Sequence, residues 1–130
     1  MSAKKKKILV VDDEPDFLGL LKVRLEADGH QVVTAHDGEE AMVRIGKEKP
    51  DVVLLDIMMP KINGLDVLKR IRLRHKSLPV FMLSGYADEK RFKTALRHKA
   101  SGFIIKSEGL QKQLRTIQAV LSIAMRYRSR

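Results

Sequence analysis

Four short stretches of the chain are apolar without a break: Ile8-Leu-Val-Val11, Val52-Val-Leu-Leu55, Val80-Phe-Met-Leu83 and Phe103-Ile-Ile105. A strand with one wet face alternates apolar and polar residues. Unbroken runs of this length instead predict strands covered on both faces, as in a parallel sheet. Gln31-Val-Val-Thr-Ala35 is a weaker run with less apolar ends and reads as an edge strand.

Between these runs the apolar positions change to helical spacing. Pro15 suits a first helical position, Leu18, Leu21 and Leu25 follow on one face, and Gly29 stops the turn. Asp37, with Glu40 three residues on, has the form of a capping box ahead of Ala41, Met42 and Ile45. Asn63 is placed to cap a helix carrying Leu65, Leu68 and Ile71. Asp88 is placed to cap another, with Phe92, Ala95 and Leu96 turned inward. Leu110, Leu114, Ile117, Leu121 and Met125 form the stripe of a last helix.

Five strand–helix units in alternation require crossover connections, hence a doubly wound α/β domain with helices on both faces of a parallel sheet. The length of 130 residues suits one such domain. Its expected extent is residues 6–126, with basic tails at 1–5 and 127–130. Apolar residues make up 44% of the chain, enough for a core, and the absence of cysteine excludes a disulfide framework or a thiolate zinc site.

No apolar run approaches the ~18 residues that span a bilayer. The apolar stretch after the N-terminal lysines is too short for a secretory leader and ends in two aspartates, so a cytoplasmic setting is expected. The formal charge of +10 adds something the pattern does not show. Such a field attracts nucleic acid, anionic membrane or an acidic protein, without choosing among them. Neither a helix-turn-helix signature nor an aromatic platform for bases accompanies the lysines of 4–7 or the cluster Lys90, Arg91, Lys93, Arg97 and Lys99. A solvated basic face is the simpler reading, and specific DNA binding is not expected.

Sites in open parallel sheets form outside the carboxyl ends of the strands. Here those ends carry Asp12-Asp13-Glu14, Asp56, Ser84-Gly85 and Lys106. Any one of them alone is ordinary: a strand-end aspartate is commonly a helix cap, a role open to Asp13 or Glu14, and a lone lysine is commonly solvated. Together they bring three aspartates, a hydroxyl and an ammonium to one rim. Carboxylates brought that close repel one another, so protons or a cation must compensate. Hard oxygen ligands suit Mg²⁺. An aspartate can also act as a phosphoryl nucleophile, with a metal, Lys106 and the Ser84 hydroxyl stabilising the developing charge.

These residues resemble the receiver domains of two-component response regulators, the single-domain chemotaxis regulator among them. The likeness rests on Val10-Val-Asp-Asp-Glu-Pro15, Leu54-Leu-Asp-Ile-Met-Met-Pro60 with Gly64, Leu83-Ser84 and Gly102-Phe-Ile-Ile-Lys106, and it covers residues 6 to about 126. It implies a flavodoxin-like five-stranded sheet of order 2-1-3-4-5. It implies that Asp56 accepts a phosphoryl group from a histidine kinase, a phosphotransfer protein or a small phosphodonor, within a phosphorelay. It makes Asp13 the direct Mg²⁺ ligand, Asp12 mainly a ligand through water, and the Met58 carbonyl a further protein ligand with Asp56. Ser84 and Lys106 then engage the phosphoryl group, and Phe103 takes the place of the aromatic that rotates on activation or packs as an ordinary core residue. An unknown output protein and a dimer through the last helices are implied partners.

Further expectations concern single positions. Pro60 and Gly64 shape the loop carrying Asp56, Gly64 by permitting unusual backbone angles. Met58 and Tyr86 overhang the site and slow hydrolysis. His30, His36, His75 and His98 are surface residues. Ser107 replaces the family's usual proline after the lysine, and a trans Lys106–Ser107 bond is expected because a cis bond before serine costs about 2.5–4 kcal/mol. Three rival functions stand beside this reading. A phosphatase of the haloacid dehalogenase type needs a second aspartate two residues after the nucleophile, where Met58 stands, so turnover of external substrates is not expected. The others are the receiver segment of a transcription factor and a nucleic-acid-binding module.

Overall fold

The computed structural model describes residues 6–59, 63–85, 89–106 and 109–128, the last six by backbone alone. The expectations for Pro60, Tyr86, Asp88, Ser107, the Met125 side chain and the extreme tails lie outside the described residues. Strands β1 (Lys7–Val11), β2 (Gln31–Ala35), β3 (Val52–Asp56), β4 (Val80–Ser84) and β5 (Gly102–Ile105) alternate with five helices. These are α1 (Pro15–Ala27), α2 (Gly38–Glu48), α3 (Gly64–Arg74), α4 (Glu89–Arg97) and α5 (Leu110–Arg128). The strands form one parallel sheet in the order β2-β1-β3-β4-β5, as the resemblance implied.

Successive side chains of a strand point to opposite faces, and both faces are covered. Ile8, Val10, Val52, Leu54, Phe81, Leu83 and Ile104 pack with Leu18, Leu21 and Leu25 of α1 and Ile117 and Leu121 of α5. Leu9, Val11, Val53, Leu55, Val80 and Met82 pack with Ala41 and Ile45 of α2, Val67, Leu68 and Ile71 of α3 and Ala95 of α4. Each fully buried aliphatic side chain here contributes about 1.5–3 kcal/mol relative to exposure. That two-sided demand is why, after Lys7 at the start of β1, the inner strands carry no polar residue before their last position.

The helix ends follow local chemistry. Asp37 accepts a hydrogen bond from the Glu40 amide at 2.8 Å, and Glu40 reaches back to the His36 amide at 2.8 Å, one residue earlier than a capping box requires. Asn63 caps α3 by accepting from the Asp66 amide at 3.0 Å. At the start of α1, Pro15 stands at the first helical position and Glu14 at the N-cap makes no side-chain cap, so neither acidic residue before it serves that role. α5 continues to Arg128, beyond residue 126.

Three expectations need correction. His30 is buried, not a surface residue: it sits where β2 begins, and its Nδ1 accepts the Lys6 amide at 3.3 Å. Burial lowers its pKa. Leu96 is turned outward. Phe92 stacks on Phe103 with ring centroids 4.2 Å apart, which rotates α4 so that Phe92 and Ala95 face the sheet and Leu96 passes its edge. Gly64 is required by close approach, not by an unusual angle, since positive φ values among the glycines occur only at Gly29 and Gly109. A Cβ on Gly64 would collide with the Asp56 carbonyl oxygen and lie 2.8 Å from Ile57 Cα. The Gly64 amide also donates to the Ile57 carbonyl at 2.7 Å, so α3 begins hard against the end of β3.

Arg72, which no sequence pattern singled out, ties two connections together. Its Nε and Nη2 donate to the Lys99 carbonyl at 3.1 and 2.8 Å, and its Nη1 to the His75 and Leu78 carbonyls at 2.8 and 2.7 Å. One guanidinium thus satisfies carbonyls that the end of α3 and the turn after α4 leave without helical partners.

Gly64→Ala should therefore lower stability by about 1–3 kcal/mol or more through overpacking. Gly46→Ala in α2, where an added Cβ meets nothing within 4 Å, should gain about 0.5–1 kcal/mol. Urea midpoints of the two variants test the contrast, and equal midpoints would refute the account of Gly64.

Candidate functional site

Register decides which residues meet. Val11 pairs with Leu55, so Asp12 and Asp56 leave the sheet side by side from adjacent strands. Asp56 pairs with Leu83 and Ser84 with Ile105, so Ser84 and then Lys106 stand progressively further along the same rim. The order β2-β1-β3 places the reversal of winding between β1 and β3, where such sheets open a crevice.

Asp12 and Asp56 are 0% and 4% exposed. Each is held by the backbone two residues ahead. Asp12 Oδ1 accepts the Glu14 amide at 3.0 Å and Asp56 Oδ1 the Met58 amide at 3.2 Å, an Asx-type turn in both cases. Their Oδ2 atoms turn toward Lys106, whose Nζ lies 2.9 Å from Asp12 Oδ2 and 3.9 Å from Asp56 Oδ2. Asp13 is more exposed than either, and carboxylate oxygens of Asp12, Asp13 and Asp56 lie within 4.8 Å of one another.

The electrostatics follow from that crowding. Burial, then the charge of Asp12, pushes the Asp56 carboxyl up to about 7, against the opposing pull of Lys106. Burial also raises Asp12, although Lys106 and the Glu14 amide draw it back. Burial acts to lower the Lys106 ammonium, but hydrogen bonds to Asp12 and Glu14 outweigh it and hold its pKa above the usual lysine value. One ammonium therefore does not compensate three carboxylates. A donor set of hard oxygens with unbalanced negative charge is what a divalent cation of the Mg²⁺ type fits.

The rim also holds partners that spacing could not reveal. Glu14 Oε1 lies 2.5 Å from Lys106 Nζ, a contact across 92 residues of sequence, and the Phe17 ring lies 4.6 Å from the same nitrogen. Gln113 of α5 is buried and donates its Nε2 to the Lys106 carbonyl. Ser84 is buried at the end of β4, Phe103 is half-buried in β5, and Met58 is half-exposed beside Asp56.

A five-stranded flavodoxin-like sheet with an acidic, cation-ready rim and a facing lysine has the form of a signalling receiver. Residues 8–118 match the family model described as the response regulator receiver domain, and the chain belongs to that family, whose setting is two-component signalling. Aspartate phosphorylation and Mg²⁺ are general in it. The chain is 46% identical over 84 residues to the alkaline phosphatase synthesis transcriptional regulatory protein PhoP of Bacillus subtilis, covering 65% of this chain and 35% of that protein. It is 41% identical over 117 residues to the probable transcriptional regulator ycf27 of Guillardia theta, covering 90% and 46%. It thus spans less than half the length of these curated relatives.

Among solved structures, NtrX from Brucella abortus aligns with a TM-score of 0.87 at 32% identity, over 97% of this chain and 29% of that one. The chemotaxis protein CheY4 of Vibrio cholerae aligns with a TM-score of 0.83 at 28% identity, over 90% and 99%. Among the described residues no helix is long and apolar enough to cross a membrane.

The raised carboxyl of Asp56 has a consequence for stability. The folded protein holds that proton more tightly than the unfolded chain, whose aspartates titrate near about 3.9. Its contribution is therefore full below that value and is lost as pH rises through about 7. Metal-free protein should lose stability across this window. Asp56→Asn should flatten the loss, matching the parent at pH 4 and exceeding it at pH 8. Urea unfolding in the presence of chelator measures both, and parallel curves would exclude Asp56 as the group.

Proposed function

We propose that Asp56 is the phosphoacceptor of this receiver domain. The single observation that supports this most is the meeting of the Asp12, Asp13 and Asp56 carboxylates within 4.8 Å, with Lys106 Nζ 3.9 Å from Asp56 Oδ2. An Asp56 carboxylate oxygen attacks the phosphorus of a phosphohistidine on a histidine kinase or phosphotransfer protein, or of a small acyl phosphate. A P–O bond to Asp56 forms and the bond to the donor breaks, its electron pair leaving with an imidazole that takes up a proton or, from an acyl phosphate, with the departing carboxylate. Asp13, Asp56 and the Met58 carbonyl, with Asp12 through water, are the groups that would hold Mg²⁺, which would supply positive charge against the transferring group.

The chain's own groups prepare the rest. The Met58 amide orients the Asp56 carboxylate, leaving Oδ2 toward the rim. Lys106 and the Ser84 hydroxyl supply a cation and a donor for phosphoryl oxygens. Hydrolysis by water later returns Asp56 and inorganic phosphate. With Met58 two residues after Asp56, no carboxylic acid stands there to serve a leaving group, so the domain catalyses only its own modification and not turnover of other substrates. The output is a change in the surface formed by α4, β5 and α5, where Phe103 stacks on Phe92, read by a partner protein in the cytoplasm.

Incubation with a small acyl phosphate and Mg²⁺ should add one phosphoryl group by intact mass. The addition should be absent from Asp56→Asn and without metal. Undiminished labelling of the variant would overturn the assignment.

Asp12 Oδ2 is already engaged by Lys106, whereas Asp13 has no cation partner among the described residues. Mg²⁺ should raise the melting temperature of the parent, by the equivalent of about 2.7 kcal/mol at a hundredfold excess over Kd. Asp13→Asn should abolish that rise more completely than Asp12→Asn. Equal titrations would refute the ranking.

A further inference from the structure

The helices of this fold run against the strands, so the carboxyl ends of α2, α3 and α4 gather at the edge of the sheet opposite Asp56. The segment joining α3 to β4 lies there between two grooves that share Lys76, Ser77 and Leu78. The larger has a volume of about 630 Å³ and an apolar wall that includes Leu78, Phe81, Phe103 and Val120. Leu96, 54% exposed, forms part of its lip. The smaller, about 380 Å³, opens toward α2.

Both grooves are rimmed by cations, and among the described residues no carboxylate lines either one. Lys49, Arg74, Lys76 and Lys99 are exposed, and among the described residues none has an acidic partner. Cations at helix carboxyl ends favour the helix dipole, which accounts for a charge at each end. It does not account for the backbone beneath two of them. Lys49 and Lys99 have φ of 49° and 66°, and they are the non-glycine residues of positive φ among those described. Glycine fills that conformation at least cost. Lysine stands there at the turn after α2 and again at the turn after α4, and each lysine lines one of the two grooves. Conformational strain retained at a site is a reason to look for function in the side chain that keeps it.

We propose that this saddle is a docking surface for an acidic protein segment that seats apolar side chains in the larger groove and sets its carboxylates against Lys49, Arg74, Lys76 and Lys99. Charge complementarity selects an anionic partner. The groove selects a protein over nucleic acid, because a phosphodiester backbone has no apolar side chain to fill it. Among the described residues lining the grooves no aromatic face is open for base stacking either: Phe81 is buried and Phe103 is covered by Phe92. The larger groove borrows Leu96, Phe103 and Val120 from α4, β5 and α5, the elements of the proposed output surface. The saddle nonetheless lies at the far edge of the sheet from the carboxylates, and binding to the unphosphorylated chain is measured apart from the role of Asp56.

The test uses the full chain, labelled with ¹⁵N, and a 14-residue synthetic peptide of Glu and Asp with leucines at helical spacing. The controls are a peptide of equal charge with serine in place of leucine, and duplex DNA of arbitrary sequence. Saturable shifts at the amides of 75–78 and 96–103 are expected, with binding weakened about tenfold by loss of the leucines. Lys99→Gly separates the two explanations of that lysine. It relieves the backbone and removes the charge, so the melting temperature should rise while peptide affinity falls several-fold, about as much as in Lys76→Gln. The proposal is overturned by the absence of saturable shifts at millimolar peptide, by equal affinity for the serine peptide or for DNA, or by unchanged affinity in Lys99→Gly.

Discussion

Two carboxylates, Asp12 and Asp56, leave adjacent central strands side by side and almost without water. Like charges in that position cannot both ionise freely, and much of the surrounding architecture manages their repulsion. Backbone amides of Glu14 and Met58 each hold one oxygen, and Lys106 crosses from the edge strand to face the others. Phe17 lies beneath the ammonium and Gln113 holds the carbonyl of the same lysine, which ties α1 and α5 to the state of the rim. The compensation is incomplete, and a residual negative charge is what a divalent cation or a proton would meet.

The same repulsion suits the rim to a reversible modification. A site already balanced by its own cations would gain little from metal. Lys106 rests against Asp12 and Glu14, close to Asp56 without a hydrogen bond to it. A phosphoryl group on Asp56 would offer it a stronger partner, and a move of its ammonium would be felt through the carbonyl that Gln113 holds. α5 is thus joined to the rim by a polar contact in addition to its apolar packing on the sheet.

The two ends of the sheet are also opposite in electrical character. Acidic groups collect where strands end, and cations collect where α2, α3 and α4 end. The formal charge of +10 is therefore not a uniform coating but includes a saddle at one edge that no carboxylate lines among the described residues. Arg72 builds part of that edge by satisfying carbonyls from two connections at once.

The strands and helices could be read from the chain because burial on both faces leaves a run of apolar residues whose meaning is local. The strand ends differ from those runs by a residue, since Asp56 and Ser84 are polar yet remain within strands. Asp12, Asp13, Asp56, Ser84 and Lys106 were legible as rim residues because topology puts every strand end on one edge. What tertiary structure alone decided were contacts without a local signal. Glu14 on Lys106 and Arg72 on Lys99 join residues far apart in sequence, and Gln113 reaches the Lys106 carbonyl across a turn between elements; periodicity carries no information about such pairs. Burial of His30 and exposure of Leu96 depended on how neighbouring elements pack. Gly64 was correctly marked as special, but its reason lay in the distance from the start of α3 to the backbone at the end of β3, a quantity that one residue's conformational preference cannot express.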